Sequence, residues 1–347
     1  MTYLRNGWYC AGWSRQLGDK PQQRLFLGEP IVLFRRSNGA VVALGDRCPH
    51  RFAPLHEGHV QGDRIACPYH GLQFGADGRC VHNPHGDGKI PQAAAVRAYP
   101  IVEQQGALWI WMGDPALANP ARILDISLFD RPAEYTTVVG HMLVRGHYQL
   151  VIDNLLDLTH AAYLHVGTLG APPEQMLAPD RLKFEFREEA QMVEASYLFG
   201  DMPTAPQMQP FWPAPSGDAR GVMRWHAPSS LSLAVSIDDP AHPEAGQYLQ
   251  PSLHLLVPQD AQNTHYYFAV ARNRYLDSAE HSALIERDMR RAFEQEDEPM
   301  IQACQQLMGT PALFDLKPVL LPTDVAAVRA RRLLDQLIAQ EQRLSTA

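Results

Sequence analysis

Residues 47–74 read RCPHRFAPLHEGHVQGDRIACPYHGLQF. One residue separates Cys48 from His50, two separate Cys67 from His70, and sixteen lie between the two pairs. Each short loop thus offers one thiolate and one imidazole. Four such ligands can close a tetrahedral zinc site. They can equally hold a [2Fe–2S] cluster in which two histidines replace two cysteines on one iron. Spacing alone separates these poorly, but the flanks help. Pro49 and Pro68 follow the cysteines and Gly71 follows the second histidine, residues that stiffen a loop and let backbone approach bridging sulfides. His56, His59, His82 and His85 lack the paired cysteine spacing and read as loop or surface histidines. Cys80 reads as a small hydrophobe.

Outward from this stretch the chain is rich in strand signals. Ile31–Phe34 and Val41–Leu44 flank Ser37-Asn38-Gly39, the pattern of a hairpin. Ala107–Met112 reads as a buried strand closed by Gly113-Asp114-Pro115. The run GDPALANPARILD (113–125) has linker composition, which puts a domain boundary near residue 115 and divides the chain into 1–115 and 116–347. The second part is mixed. Residues 181–200, 219–237, 249–258 and 264–272 look like strands. Residues 278–308 read as a helix interrupted at Pro299, and 324–343 as a final amphipathic helix. Residues 201–217 contain five prolines with Phe211 and Trp212, which excludes a regular helix or central strand and suggests a loop that folds over something.

Composition narrows the class. The chain has 347 residues, 46% hydrophobic and 20% charged, ordinary for a globular protein with a core. A net charge of -8 argues against a nucleic-acid-binding protein. No apolar run is long enough for a membrane span and no signal peptide is visible. Five cysteines are too few and too scattered for a disulfide framework, so the expected setting is the reducing cytoplasm.

A second constellation lies at residues 151–165, VIDNLLDLTHAAYLH. His160 and His165 are five apart, about 140° on an ideal helix. They would not share one face, so His165 should lie where the helix ends or unwinds. Asp157 and His160 do share a face, so a hydrogen bond between them is expected. Two histidines and one carboxylate are a common ligand set for Fe(II) that reacts with O2.

CPHR followed by CPYHG resembles the Rieske [2Fe–2S] signature. With the downstream Asp-x2-His-x4-His pattern, the chain resembles the large subunit of a Rieske non-haem iron oxygenase. RNGWY, CPHRFAPL, CPYHGLQF, WIWMGDPALANP and DNLLDLTHAAYLH point to the branch of vanillate and dicamba O-demethylases and toluenesulfonate methyl-monooxygenase. The resemblance implies an α+β chain, with an all-β Rieske domain and a C-terminal helix-grip-like domain of antiparallel sheet and helices. It implies that Cys48 and Cys67 hold one cluster iron and His50 and His70 the other. It implies a mononuclear Fe(II) on His160, His165 and a distant acid. In FEQEDEPMIQ (293–302) that acid is Asp297, with Glu294 as the next choice. Family members are typically homotrimers, in which Asp157 would link His70 of one chain to His160 of the next, and Asn154 would neighbour the iron.

The implied reaction uses O2 and NAD(P)H-derived electrons. A hydride donor needs a two-electron acceptor such as a flavin. No GxGxxG fingerprint follows a strand here. A separate flavin/iron–sulfur reductase is therefore expected, with or without a ferredoxin. The resemblance implies O-demethylation of a vanillate-like aromatic acid with release of formaldehyde; hydroxylation of an aryl methyl group and N-demethylation of a heterocycle are alternatives. Ring dioxygenation and pure electron transfer are less favoured. The substrate carboxylate needs a polar anchor, and His226 and His254 match pocket positions of the branch. The branch carries an aromatic residue nine before its metal Asp; here that position is Asp288.

Overall fold

The computed structural model describes residues 3–346. The chain divides into two compact units, Met1–Ile123 with Val257–Asp260, and Leu124–Leu256 with Ala261–Ala347. Two proline-led 3-10 turns, Pro115–Leu117 and Pro120–Arg122, lie between the linker start at 115 and this parting. Both are capped by side chains, Asp114 and Asn119 accepting from Ala116 and Ala121 N–H.

Among the described residues, the first unit contains only short strands, together with 3-10 turns. They are β1 (Trp8–Trp13), β2 (Gln22–Phe26), β3 (Glu29–Arg35), β4 (Val41–Gly45), β5 (His59–Gln61), β6 (Arg64–Ala66), β7 (Gln73–Phe74), β8 (Cys80–His82), β9 (Ala98–Tyr99), β10 (Ile101–Gln104) and β11 (Ala107–Trp111). Three small sheets result, ordered β1-β11-β10, β2-β3-β4-β9 and β5-β6-β7-β8. The expected hairpin is β3–β4, with Phe34 opposite Val42. β11 is buried along its whole length. One core joins Val32, Phe34 and Leu44 to Leu55, Ile65 and Phe74, and Cys48, Cys67 and Cys80 belong to it. The cysteine loops are thus seated on packed strands rather than on mobile chain.

The second unit is one seven-stranded sheet covered by helices. In chain order its strands are β12 (Thr136–Val144), β13 (Leu182–Glu189), β14 (Met192–Pro203), β15 (Ser216–His226), β16 (Ser230–Asp238), β17 (Tyr248–Pro258) and β18 (Thr264–Arg272). The spatial order is β12-β18-β17-β16-β15-β14-β13. Long antiparallel pairings run through it, as between β14 and β15 or β12 and β18. Alternation decides what faces inward. Val193, Ala195, Tyr197 and Phe199 of β14 are buried, while the residues between them are part-exposed.

Helices α1 (Tyr148–Leu156), α2 (Ala161–Leu164) and α3 (Pro173–Met176) precede the sheet's central strands; α4 (Ala279–Arg290), α5 (Glu298–Met308) and α6 (Val325–Thr346) follow its last. The helical pattern expected from 147 breaks at Asp157, whose φ of -114° and ψ of 97° are extended. A 3-10 turn, Leu158–His160, leads into α2. His165 stands at the end of α2, where the five-residue spacing placed it. The break expected at Pro299 lies earlier. Residues Arg291–Asp297 form a π-helix that runs without a break into α5, and Pro299, which has no N–H to give the preceding turn, follows directly on that wider turn. Short π segments recur at functional sites. Among the described residues, no helix is long and apolar enough to cross a membrane.

Candidate active site

The two cysteine loops are built alike. Cys48 N–H donates to the Ala53 carbonyl at 2.9 Å and the Cys48 carbonyl accepts from Phe52 N–H at 2.9 Å. Cys67 repeats this with Leu72 at 2.8 Å and Gly71 at 3.0 Å. The residue four after each cysteine takes a left-handed φ: 71° at Gly71 and 60° at Phe52. Glycine does this freely, whereas Phe52 is held there by the turn.

The loops sort their ligands by kind. Both cysteines are buried and their thiols are hydrogen-bonded to each other. The His50 and His70 rings pair with centroids 4.5 Å apart. Burial, with the Cys67 thiol beside it, pushes the Cys48 thiol up to about 11. Two sulfurs on the buried side and two imidazoles on the more exposed side suit two irons with unlike ligands. This donor set fits a Rieske cluster.

Two neighbours were not singled out as functional by sequence. Asp46 is buried two residues before Cys48. Its carboxylate accepts from His56 N–H at 2.8 Å, His56 Nδ1 at 2.5 Å and Gln23 Nε2 at 3.0 Å, which pins the start of the loop. His85 Nε2 lies 2.7 Å from the His70 carbonyl, so this histidine steadies the second loop.

In the second unit the structure brings His160, His165 and Asp297 together. Asp297 Oδ1 lies 3.4 Å from His160 Nε2 and 3.2 Å from His165 Nε2, and the two Nε2 atoms are 3.2 Å apart. Metal–ligand bonds of about 2.1 Å at right angles would separate donor atoms by about 3 Å, so the triangle fits one face of a metal ion. The outer nitrogens set the tautomers. His165 Nδ1 donates to Glu296 Oε2 at 2.6 Å, and the Thr168 hydroxyl donates to the same oxygen at 2.7 Å. His160 Nδ1 bonds the Asp157 carbonyl. Both Nε2 atoms then turn their lone pairs inward.

Asn154, on α1, donates from Nδ2 to Asp297 Oδ1 at 2.9 Å. Its own Oδ1 is buried with no partner, an acceptor that the protein alone leaves unsatisfied beside the ligand triangle. Burial would raise the Asp297 carboxyl, but His160 and His165 against it hold it down at about 2. Burial would lower His165; Asp297 and Glu296 outweigh it and the imidazole is raised.

The other acids of the segment go elsewhere. Glu294 pairs with Arg290 at 3.0 Å, and Glu298 with Arg145 at 2.8 Å. Asp157 meets His160 through its carbonyl rather than its carboxylate. The carboxylate caps the 3-10 turn, accepting from Thr159 N–H at 2.8 Å and its hydroxyl at 2.6 Å.

A cavity of about 230 Å³ adjoins the triangle, with Asn154, His160, His165 and Asp297 in its wall. Its size suits a single substituted ring. Gly221, Met223, Leu233 and Val235 make the sheet side largely apolar. Arg220 and Gln250 are polar members of that side, as are Ser252 and His254: Ser252 Oγ lies 2.9 Å from His254 Nε2, and His254 Nδ1 bonds the Tyr266 hydroxyl. Burial pushes His254 down to about 3, so its ring is neutral and offers one donor and one acceptor. The proline-rich loop does fold over something. Thr204, Gln207, Met208 and Phe211 line the cavity, and the loop is tied back by Gln207 N–H to the Thr168 carbonyl at 3.1 Å.

His226 does not line this cavity, a correction to its expected place. Gly217, Ala219, Arg220, Gly221 and Met223 line it from β15, and His226 at the strand's end lies beyond them. Asp288, from α4, does line it.

The model of the Rieske [2Fe–2S] domain matches residues 7–100, and that of the vanillate O-demethylase oxygenase C-terminal domain matches residues 144–340. The oxygenase component of dicamba O-demethylase from Stenotrophomonas maltophilia is 35% identical, over 97% of this chain and 98% of its own. The vanillate O-demethylase oxygenase subunit of Pseudomonas sp. (strain HR199 / DSM 7063) is 30% identical, over 99% and 98%. The crystal structure of dicamba monooxygenase with non-heme iron and dicamba matches with a TM-score of 0.85 at 32% identity, covering 99% of both chains.

Proposed function

The chain belongs to the Rieske non-haem iron oxygenases with a vanillate O-demethylase-type C-terminal domain, and from that premise we propose that it removes the methyl group of a small methoxylated aromatic acid, vanillate-like, as formaldehyde. The observation that carries this reading is the single-ring cavity opening directly onto the His160–His165–Asp297 triangle. The overall change is balanced: the aryl methyl ether, O2, two electrons and two protons give a hemiacetal and water, and the hemiacetal splits into phenol and formaldehyde. When bound, the cluster and the iron supply the electrons and the activation of O2.

Each residue then has a task. Cys48, His50, Cys67 and His70 hold the cluster, and His160, His165 and Asp297 hold the iron. Asn154 keeps Asp297 oriented. The Ser252–His254 pair offers a donor to the substrate carboxylate, and Phe211 with its loop keeps bulk water from the ring. Oxygenase components of this kind draw electrons from a separate reductase, here with or without a ferredoxin. We place the reaction in the cytoplasm, where thiols stay reduced.

A homotrimer is part of the same proposal, with the Asp157 region of one chain meeting His70 of the next. A sizing column on pure protein should show about three chains. A fully active monomer would sink that route.

The test of function is a single turnover. The iron-loaded, reduced protein, freed of reductant, is given O2 and a panel of methoxybenzoates, toluates, arylsulfonates and N-methyl heterocycles. Formaldehyde at one equivalent or less per site from a methoxy acid is the expected result. A benzylic alcohol without formaldehyde would mean methyl hydroxylation, and formaldehyde only from the heterocycles would mean N-demethylation. No product from any compound would overturn the substrate class.

A further inference from the structure

We propose that Asp288 selects the substrate, accepting a hydrogen bond from a hydroxyl or amino group carried on the aromatic ring. The inference rests on the demethylase reading and narrows it to methoxylated acids that bear a ring donor.

Asp288 stands on the face of α4 and the following π-helix that borders the cavity. Ile285, Asp288, Met289, Ala292 and Phe293 recur there at helical spacing. It is the acidic member of an otherwise apolar face, and it is 7% exposed. Arg287 is its charge partner, but both guanidinium bonds fall on one oxygen: Nε at 2.7 Å and Nη2 at 2.6 Å, each to Oδ1. The Arg287 side chain is 65% exposed, so the positive end of the pair lies toward water. The second carboxylate oxygen is left without a donor. That oxygen is not among the fully buried atoms without a partner, so it stays open to a donor on a bound molecule.

Among the polar groups of the cavity wall, which also include Thr204, Gln207, Arg220 and Gln250, two are of opposite sense. On the sheet side, the Ser252 hydroxyl, backed by neutral His254, can donate to an acceptor such as a carboxylate. On the helix side, Asp288 can only accept, and it repels a second acceptor. A ligand with a carboxylate and a separate O–H or N–H satisfies both. A ring carrying only ether oxygens or halogens leaves Asp288 unpaired, and sites built to bond a donor discriminate strongly against analogues lacking it.

The experiment is equilibrium binding by calorimetry to the anaerobic, cluster- and iron-loaded protein. The probes are 4-hydroxy-3-methoxybenzoate, 4-amino-3-methoxybenzoate, 3,4-dimethoxybenzoate and 3-methoxybenzoate. The native chain should bind the hydroxyl and amino acids at least tenfold more tightly than the other two. Asp288→Leu should bring all four within about twofold. Asp288→Asn, whose amide oxygen still accepts, should keep part of the preference. Equal binding of the four by the native chain would overturn the proposal, as would an unchanged preference in Asp288→Leu or, should that variant not fold, in Asp288→Ser. Formaldehyde read in parallel separates the two readings. Selective binding without formaldehyde refutes demethylation and leaves the Asp288 assignment standing. Formaldehyde from all four without selectivity does the reverse. Absence of binding by every acid overturns both.

Discussion

Glu296 Oε2 accepts from His165 Nδ1 at 2.6 Å and thereby decides which ring nitrogen of His165 faces Asp297. Without that bond the ring can flip or change tautomer, and the lone pair leaves the triangle. Carboxylates in this position typically change metal affinity 10–100-fold. Glu296→Ala should therefore lose iron about that much more readily in a chelator titration. Glu296→Gln, which keeps an amide oxygen as acceptor, should fall between. Visible absorbance of the cluster serves as the internal control. Iron retention equal to that of the native chain would refute a positioning role for Glu296.

Asp297 Oδ1 accepts from Asn154 Nδ2 at 2.9 Å and faces His160 Nε2 and His165 Nε2 at 3.4 and 3.2 Å. Asp297→Asn keeps the size but removes the charge that a divalent ion requires. The variant should purify red-brown, with its cluster intact, yet hold no mononuclear iron and form no formaldehyde. Loss of colour together with loss of iron would show that Asp297 supports the fold rather than a second metal site.

Arg331 ties α6 to α1. Its Nη2 lies 2.6 Å from Asp153 Oδ2, and Nε lies 2.9 Å from each oxygen of the same carboxylate. Arg331 itself is 4% exposed, so its removal leaves Asp153 with no countercharge in a buried setting. Breaking such a pair from one side typically costs about 3–5 kcal/mol, whereas replacing both partners by apolar groups costs far less. Arg331→Met should lower the urea midpoint markedly, and the double variant with Asp153→Leu should recover much of it. Equal destabilisation of the single and double variants would count against a charge-pairing role. Because α1 also carries Asn154, the single variant should bind iron more weakly as well.

How far the sequence could be read depended on how local each signal was. Cys48, His50, Cys67 and His70 lie within 23 residues, and their spacing is set by two tight turns, so the motif survives in the linear chain. The placing of His165 at a helix end followed from the 3.6-residue repeat, and the structure breaks the helix at Asp157 for a reason of the same kind. Glu296 was harder. It is one of four acids in five residues, and only the π-helix decides which turns toward His165 and which toward solvent. A straight α-helix read from the same letters gives a different face. His226 was placed by a positional match alone, and it lies at the end of β15, three residues past Met223, the last residue of that strand in the cavity wall. Asp46 and His85 contact backbone of the cysteine loops, and backbone partners leave no trace in residue type.

His147 precedes α1, is 2% exposed, and neither ring nitrogen has a partner. Burial, reinforced by the charge of Arg331, pushes its imidazole down to about 3. In the unfolded chain the same group titrates near about 6.5. The folded state therefore holds this ring neutral, while the unfolded state takes up a proton below about pH 6.5. Stability must fall as the pH drops through that window, by up to about 1.4 kcal/mol per unit, until the folded pKa of about 3 is reached. His147→Phe removes both the titration and two unsatisfied buried nitrogens. Leaving such a group unpaired costs about 1–3 kcal/mol, so the variant should already be the more stable at pH 7. Its advantage should widen between pH 7 and pH 5, because other acid-sensitive groups act equally on both proteins and cancel in the difference. Urea unfolding at pH 7, 6 and 5 measures it. Parallel stability curves for the two proteins would mean that His147 finds a proton acceptor in the folded state and stays charged.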